Sequence, residues 1–156
     1  MGVPLGNVPQ LVMKAIIVFA ILVFMLSLAF ASLAGDKVCI KNICIQVETA
    51  SSPETRAQGL MFRSSLGQNS GMLFIFESED KHAFWMKNMK LPLDIIWINK
   101  DNAIVDIKEN VPPCGEYCET LIPAQDARYV LEVSSGFTEE HSIEIGDRVD
   151  LKDAVK

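Results

Sequence analysis

The chain is poor in the residues that most enzyme chemistry needs. It has two histidines, His82 and His141, and no His-x-His or His-x-x-x-His pattern. A zinc centre is poorly supported, and no other metal site stands out. No Gly-x-Ser-x-Gly elbow presents a serine nucleophile. Glycine-rich phosphate loops are absent, so no nucleotide cofactor is implied. No run of cations exceeds two adjacent residues, which argues against nucleic acid as a partner. Internal repeats, low-complexity tracts and internal linkers are missing as well.

Charge is missing from one end. Residues 1–35 contain no acidic residue and a single basic one, Lys14. Ala15–Gly35 is an uncharged stretch of 21 residues, mostly Ile, Val, Leu, Phe, Met and Ala. A helix of roughly 20 apolar residues can span a bilayer. Two readings stay open: a retained N-terminal anchor, or a signal peptide cleaved after Ala31 or Ala34. Either would keep the Lys14 end cytoplasmic and place Asp36 onward outside. Residues 36–156 hold all 20 acidic residues and 13 of the 14 basic ones, a net charge of −7. They are expected to form one globular domain with a modest core.

The pattern of residues 36–156 is mostly β. Lys37–Glu48 reads as a hairpin with Lys41-Asn42 at its turn, Asn42 tolerating positive φ. Ser52-Pro53-Glu54 starts a helix, with Ser52 as N-cap and Ala57, Leu60 and Met61 forming its buried face. Gly59 inside that helix suggests close packing. Ser64–Ser70 reads as a polar loop. Met72–Phe76 and Leu93–Ile98 show no alternation, as expected of strands covered on both faces. Ala103–Glu109 alternates, with Asp106 and Lys108 on a wet face. Val111–Ala127 is a long loop. Tyr129–Val133 turns Tyr129, Leu131 and Val133 inward and leaves Glu132 to solvent. Thr138–Ser142 makes a helical turn, and Arg148–Leu151 is a last strand after a Gly146-Asp147 turn. Short strands with one or two short helices argue a compact β-sandwich or partly closed barrel (α+β, mostly β), preceded by an N-terminal hydrophobic helix.

One stretch, Gly71–Ile98, gathers the informative residues. It holds both tryptophans, Trp85 and Trp97, read as core or, for one of them, as a stacking platform. Glu77–Lys81 and Lys87-Asn88 interrupt its apolar runs. Asp94 shares a face with Ile96 and Ile98, where a carboxylate is costly unless paired. Lys87, Arg63 and Arg56 are the cations that could pair with it. Two readings follow: a buried ion pair or turn-fixing carboxylate after Pro92, or a group that orients a ligand or moves a proton. Arg63 offers a bidentate fork, and Lys87-Asn88 a point charge beside a donor and acceptor. Arg63, Trp85, Lys87, Asn88 and Asp94 are therefore expected to converge as a ligand site. His82 reads as a surface residue.

Four cysteines allow three pairings. In the hairpin register Cys39 and Cys44 face each other as a non-hydrogen-bonded pair, with Cα atoms about 4.5 Å apart. Cys114 and Cys118 are close in a loop bearing Pro and Gly. Export makes both local disulfides plausible. The rival is one four-thiolate metal site, though the C-x4-C and C-x3-C spacings are not the usual tight pairs.

Arg56–Arg63, Gly71–Phe76, the Phe84-Trp85-Met86-Lys87-Asn88 run, Pro92–Ile95, Tyr129–Val133 and Gly146–Val149 together resemble the family known as domain of unknown function 192. The resemblance covers roughly residues 37–151. It implies a mostly β fold of sandwich type, often behind a signal or anchor, and no established activity. Paired cysteines near Cys114 and Cys118 also fit that resemblance.

Two functions are in competition. One is a membrane-tethered extracytoplasmic domain that binds a small ligand or a protein partner without catalysis. The other is a hydrolase-like enzyme using Asp94, Lys87 and His82. The first is preferred, because no nucleophile–base pair is recognisable. Its location is testable: a tag after Lys156 should be digested by protease added to intact spheroplasts, and a fully protected tag would refute the expected topology.

Overall fold

A computed structural model describes residues 13, 14, 16–19 and 35–155. The chain divides into two compact units, residues 1–35 and 36–156. In the first, Met13, Lys14 and Ile16–Phe19 are helical. The rest of the expected N-terminal hydrophobic helix lies outside the described residues. Among the described residues no helix is long and apolar enough to cross a membrane.

The second unit is built on one seven-stranded sheet. In chain order its elements are β1 (Lys37–Ile40), β2 (Ile43–Ala50), α1 (Pro53–Gln58), β3 (Ser70–Asp80), β4 (Leu93–Ile98), β5 (Ile104–Val111), β6 (Ala127–Ser134), α2 (Phe137–Glu140) and β7 (Val149–Asp150). Across the sheet the order is β5-β4-β6-β3-β2-β1-β7. All neighbours are antiparallel except β2 and β3, which are parallel and need α1 as their crossover. The two outermost strands meet again through an antiparallel bridge between Ala103 and Arg148. Val149 N–H also donates to the Asn102 carbonyl at 2.9 Å. The sheet is therefore curled into a partly closed barrel. The sandwich alternative, which the family resemblance also implied, is corrected: one sheet bends on itself instead of two sheets facing each other. Register shifts between β4 and β5 help that bending, since an extra residue locally increases twist.

The curl separates two apolar clusters. The inner one draws on every strand and includes Val38, Ile40, Ile45, Leu73, Ile96, Ile98, Leu131, Val133 and Val149. The outer one spreads over β3, β4 and β6 with Met72, Phe74, Leu93, Ile95, Trp97 and Val130, covered by Leu60 and Met86. All six residues of β4 are buried, as its lack of alternation suggested.

Several local expectations are revised. In the β1–β2 turn Lys41 takes the positive φ, 53°, not Asn42. Its ammonium is held by Asp147 at 2.9 Å, and it also donates to the Ser142 carbonyl. Ser52 caps α1, forming a reciprocal capping box with Thr55, but the helix stops at Gln58 and buries none of its residues. Gly59 ends it with a positive φ of 49°, and a Cβ there would lie 3.2 Å from the Phe74 ring. Leu60 is buried beyond the helix, while Ala57 is exposed. Strand β3 runs on through Glu77–Asp80, within the polar Glu77–Lys81 stretch that interrupts the apolar runs. The wet face assigned to β5 is half wrong. Asp106 is buried and accepts from the Ala124 N–H at 2.8 Å, tying down the long loop.

Asp94 is the turn-fixing carboxylate that one reading expected, without the cation that the other required. It does lie on the inner face with Ile96 and Ile98, fully buried. No cation approaches it among the described residues. Its Oδ1 accepts from Asn110 N–H at 2.8 Å and Gly136 N–H at 3.2 Å. Its Oδ2 accepts from Thr138 N–H at 2.9 Å and the Thr138 hydroxyl at 2.8 Å. A buried carboxylate is satisfied by several aimed donors as well as by a counter-ion. The β4 carboxylate thus binds the end of β5 and the start of α2 to the same point.

Both cysteine pairs lie at disulfide distance, with Cα separations of 4.1 Å for Cys39–Cys44 and 5.2 Å for Cys114–Cys118. Cys39 and Cys44 are direct cross-strand partners in the expected register.

Two measurements test this architecture. Asp94→Ala strands three backbone N–H groups, each costing about 1–3 kcal/mol when left unsatisfied, so unfolding stability should fall by about 3 kcal/mol or more. Asp94→Asn turns an amide N–H2 toward donors and should also destabilise. A loss below about 1 kcal/mol in Asp94→Ala would contradict the clamp. Peptide mapping without reductant should recover Cys39 linked to Cys44 and Cys114 linked to Cys118; four free thiols holding zinc would refute that pairing.

Candidate functional site

Glu132 is the residue around which a site forms. It sits on β6 between Met72 of β3 and Ile95 of β4. Leu131 and Val133 point to the inner cluster, so alternation turns Glu132 to the outer face. That face is not wet. Glu132 is only 4% exposed. Its Oε2 has no hydrogen-bond partner among the described residues. Burial pushes the carboxyl up to about 8, so it is mostly protonated at neutral pH. Directly behind it, a Cβ on Gly71 would lie 2.5 Å from the Glu132 carbonyl oxygen. Only glycine lets β3 approach β6 so closely there.

Glu132 lines a cavity of about 250 Å³ between α1, the 59–61 segment and the 83–89 segment. The walls are apolar: Leu60, Met61, Phe74, Phe76, Phe84 and Met89. Arg56 and Lys87 line it too, as does Trp85. Phe84 fixes the wall. Its backbone exchanges hydrogen bonds with Leu121 at 2.8 and 2.9 Å. Its ring meets Phe74 edge-on at 4.9 Å and Trp97 at 5.9 Å between centroids. Arg56 lies over the Phe76 ring at 5.1 Å, a cation–π arrangement, with His82 stacked on the same ring at 3.5 Å. The cavity thus combines an apolar body, one buried neutral acid and two cations.

The expected convergence of Arg63, Lys87, Asn88 and Asp94 does not form. Asp94 is on the inner face and saturated by backbone donors. Arg63 makes a bidentate pair with Glu48 at 2.5 and 2.6 Å, which lowers the Glu48 carboxyl and raises the guanidinium. Asn88 is exposed, in a left-handed conformation at φ 60°, with its carbonyl accepting from Phe62 N–H at 2.9 Å. Trp85 and Lys87 do line the cavity. Trp97 is core and donates to the His82 carbonyl at 2.9 Å, whereas Trp85 is 54% exposed. The trio of Asp94, Lys87 and His82 is not assembled: His82 is 3.0 Å from the Ser78 carbonyl through Nε2, and neither it nor Lys87 is among the partners of Asp94. Among the described residues no group of three or more metal-ligating side chains occurs.

Glu132 was read from sequence as solvated, and that is overturned. The signal lies in its neighbours in the sheet and needs the strand order to be read. Met72–Phe76 and Leu93–Ile98 both read as covered on two faces, and β6 runs between them. A strand flanked by two such strands is itself covered on both.

Comparison with known proteins agrees with this fold. A UPF0127 protein of Pyrococcus furiosus is 28% identical over 115 residues, spanning 70% of this chain and 90% of the relative. One from Thermococcus sibiricus is 27% identical over 110 residues, spanning 67% and 65% respectively. Among solved structures, a chain from Sinorhizobium meliloti 1021, described as a candidate transcription regulator, superposes with a TM-score of 0.68 at 33% identity, over 74% of this chain and 92% of its own. A protein of unknown function from Novosphingobium aromaticivorans superposes at 0.67 with 31% identity, over 76% and 89%. Residues 37–151 match the family DUF192, described as uncharacterized ACR, and with so much of its length inside that match the chain belongs to it.

Proposed function

We propose that residues 36–156 form an extracytoplasmic binding domain, tethered to the membrane by the N-terminal segment, that takes a small and largely apolar ligand without transforming it. The observation that carries this reading is the Glu132 carboxyl: buried, unpartnered at Oε2 among the described residues, and lining an apolar cavity. A buried polar atom without a partner is costly, and a ligand that hydrogen-bonds to it removes that cost. The volume suits a ligand of this kind, since an apolar cavity of roughly 150 Å³ already takes a benzene. The tether rests on the uncharged Ala15–Gly35 stretch. Placement outside the cytoplasm rests on the same stretch and on the two cysteine pairs at disulfide distance. A protein partner in place of a small molecule has no comparable support.

The environment of Glu132 sets a pH dependence. Unfolded, its carboxyl titrates near the ordinary 4.5; folded, near 8. Between those values the native state binds more protons than the unfolded one, so its contribution to stability falls as pH rises from about 4.5 to about 8 and is lost above. Glu132→Gln has no proton to lose. Its stability relative to wild type should climb across that window, reaching several kcal/mol, and level off above pH 8. Parallel pH–stability curves for the two proteins would refute the buried-acid environment. Apolar fragments bearing a hydrogen-bonding group should raise the unfolding temperature of the full chain in lipid nanodiscs. Glu132→Ala should weaken that response about tenfold in ligand concentration. A fragment set that shifts neither protein would count against the ligand site.

A further inference from the structure

The geometry points to a small organic anion as the occupant of the Glu132 cavity, with its apolar body among Phe74, Phe84 and Met89 and its charged head at Arg56 and Lys87. This rests on the ligand-site reading above and adds the charge class of the ligand.

Charge is the first argument. The domain is acidic, with a net charge of −7, and five of its cations are taken up in ion pairs: Lys41, Arg63, Lys100, Lys108 and Lys152. Arg56 and Lys87 line one cavity, and among the described residues neither forms an ion pair. Two cations on one cavity wall, neither held in an ion pair among the described residues, favour an anion and oppose a ligand amine.

Placement is the second argument. Arg56 is held rigidly, its Nη1 donating to the Ser51 carbonyl at 2.5 Å and the Ile75 carbonyl at 2.9 Å, with the guanidinium over Phe76. Those partners are neutral, so the charge remains available, and one guanidinium nitrogen cluster is fixed before any ligand arrives. A preformed donor of this kind binds a carboxylate or phosphate without having to be ordered first. Lys87 is exposed and adds a mobile point charge. The third argument is the opposite wall. Glu132, the only acid lining the cavity among the described residues, is held mostly neutral by burial, so it offers a hydrogen bond and little repulsion.

The test uses three probes with one apolar body: phenylpropionate, phenylpropanol and phenylpropylamine. Each is titrated calorimetrically into the full chain in lipid nanodiscs, with empty nanodiscs as blank. Trp85, which lines the cavity, gives a parallel fluorescence readout. Phenylpropionate should bind about tenfold tighter than the alcohol and tighter still than the amine, as expected for one charge-assisted contact. Lys87→Gln and Arg56→Gln should each bring the ratio of phenylpropionate to phenylpropanol affinity most of the way to one, whatever happens to the alcohol's own affinity. The inference is overturned if the alcohol or amine binds as well as the acid, or if both variants keep the wild-type affinity for phenylpropionate. If the alcohol binds through Glu132 with no preference for the acid, the ligand site stands and the charge class falls. If none of the three binds, both fall.

Discussion

The fold depends on a carboxylate that has no counter-ion among the described residues. Asp94 sits at full burial on β4, the strand with every residue buried, and collects the N–H groups of Asn110, Gly136 and Thr138. Those donors belong to the end of β5, the turn after β6 and the start of α2. One side chain therefore fixes both neighbours of β4 and the short helix that carries Phe137 into the inner cluster. Charge-assisted hydrogen bonds at low dielectric are strong when every donor is aimed, and here the donors are backbone groups that cannot swing away. The position of β6, and with it that of Glu132, follows from this arrangement.

Among the described residues three acids of the sheet are buried, and two of them, Asp94 and Glu132, show how environment divides one chemistry. Asp94 faces inward and is saturated. Glu132 faces outward, has an oxygen without a partner among the described residues, and is held neutral by the apolar wall around it. The first is a fastener; its loss is felt in stability. The second adds nothing to packing that an apolar residue would not add better, since a buried polar atom without a partner is a cost. That asymmetry is why the site is assigned to Glu132 and not to the Lys87, Asn88 and Asp94 constellation.

Much of the scaffold was legible from residue pattern. The β1–β2 hairpin, the Ser52 cap, the fully buried β4 and the inward faces of Tyr129, Leu131 and Val133 all follow from period and capping chemistry. The Cys39–Cys44 partnership followed from hairpin register alone. What was not legible depends on strand order. Sequence places β6 far from β3 and β4, so nothing local shows that Glu132 is roofed by Leu60 and the 83–89 segment. The cation pairing expected of Asp94 failed for a related reason: its donors are backbone N–H groups from distant turns, which carry no side-chain signature. The longer β3 and the early stop of α1 at Gly59 were hidden by competing local preferences, the charges of Glu77–Asp80 in one case and the apolar pair Leu60-Met61 in the other. The choice between sandwich and barrel rested on the single seam at Ala103 and Arg148, which composition cannot reveal.

The strand order also has a consequence in time. Strands β1, β2 and β3 lie on one side of β6, and β4 and β5 on the other. A chain emerging from its N-terminus can pair the first three among themselves and the next two with each other. It cannot join the halves until residues 127–134 have been made and inserted between them. Contacts separated so widely along the chain form slowly, because loop closure comes before any gain from pairing. Until then the facing edges of β3 and β4, both strongly apolar, remain open to other chains. The keystone strand thus governs how long a nascent molecule stays vulnerable to aggregation, and that interval would be ended by the same strand that carries Glu132.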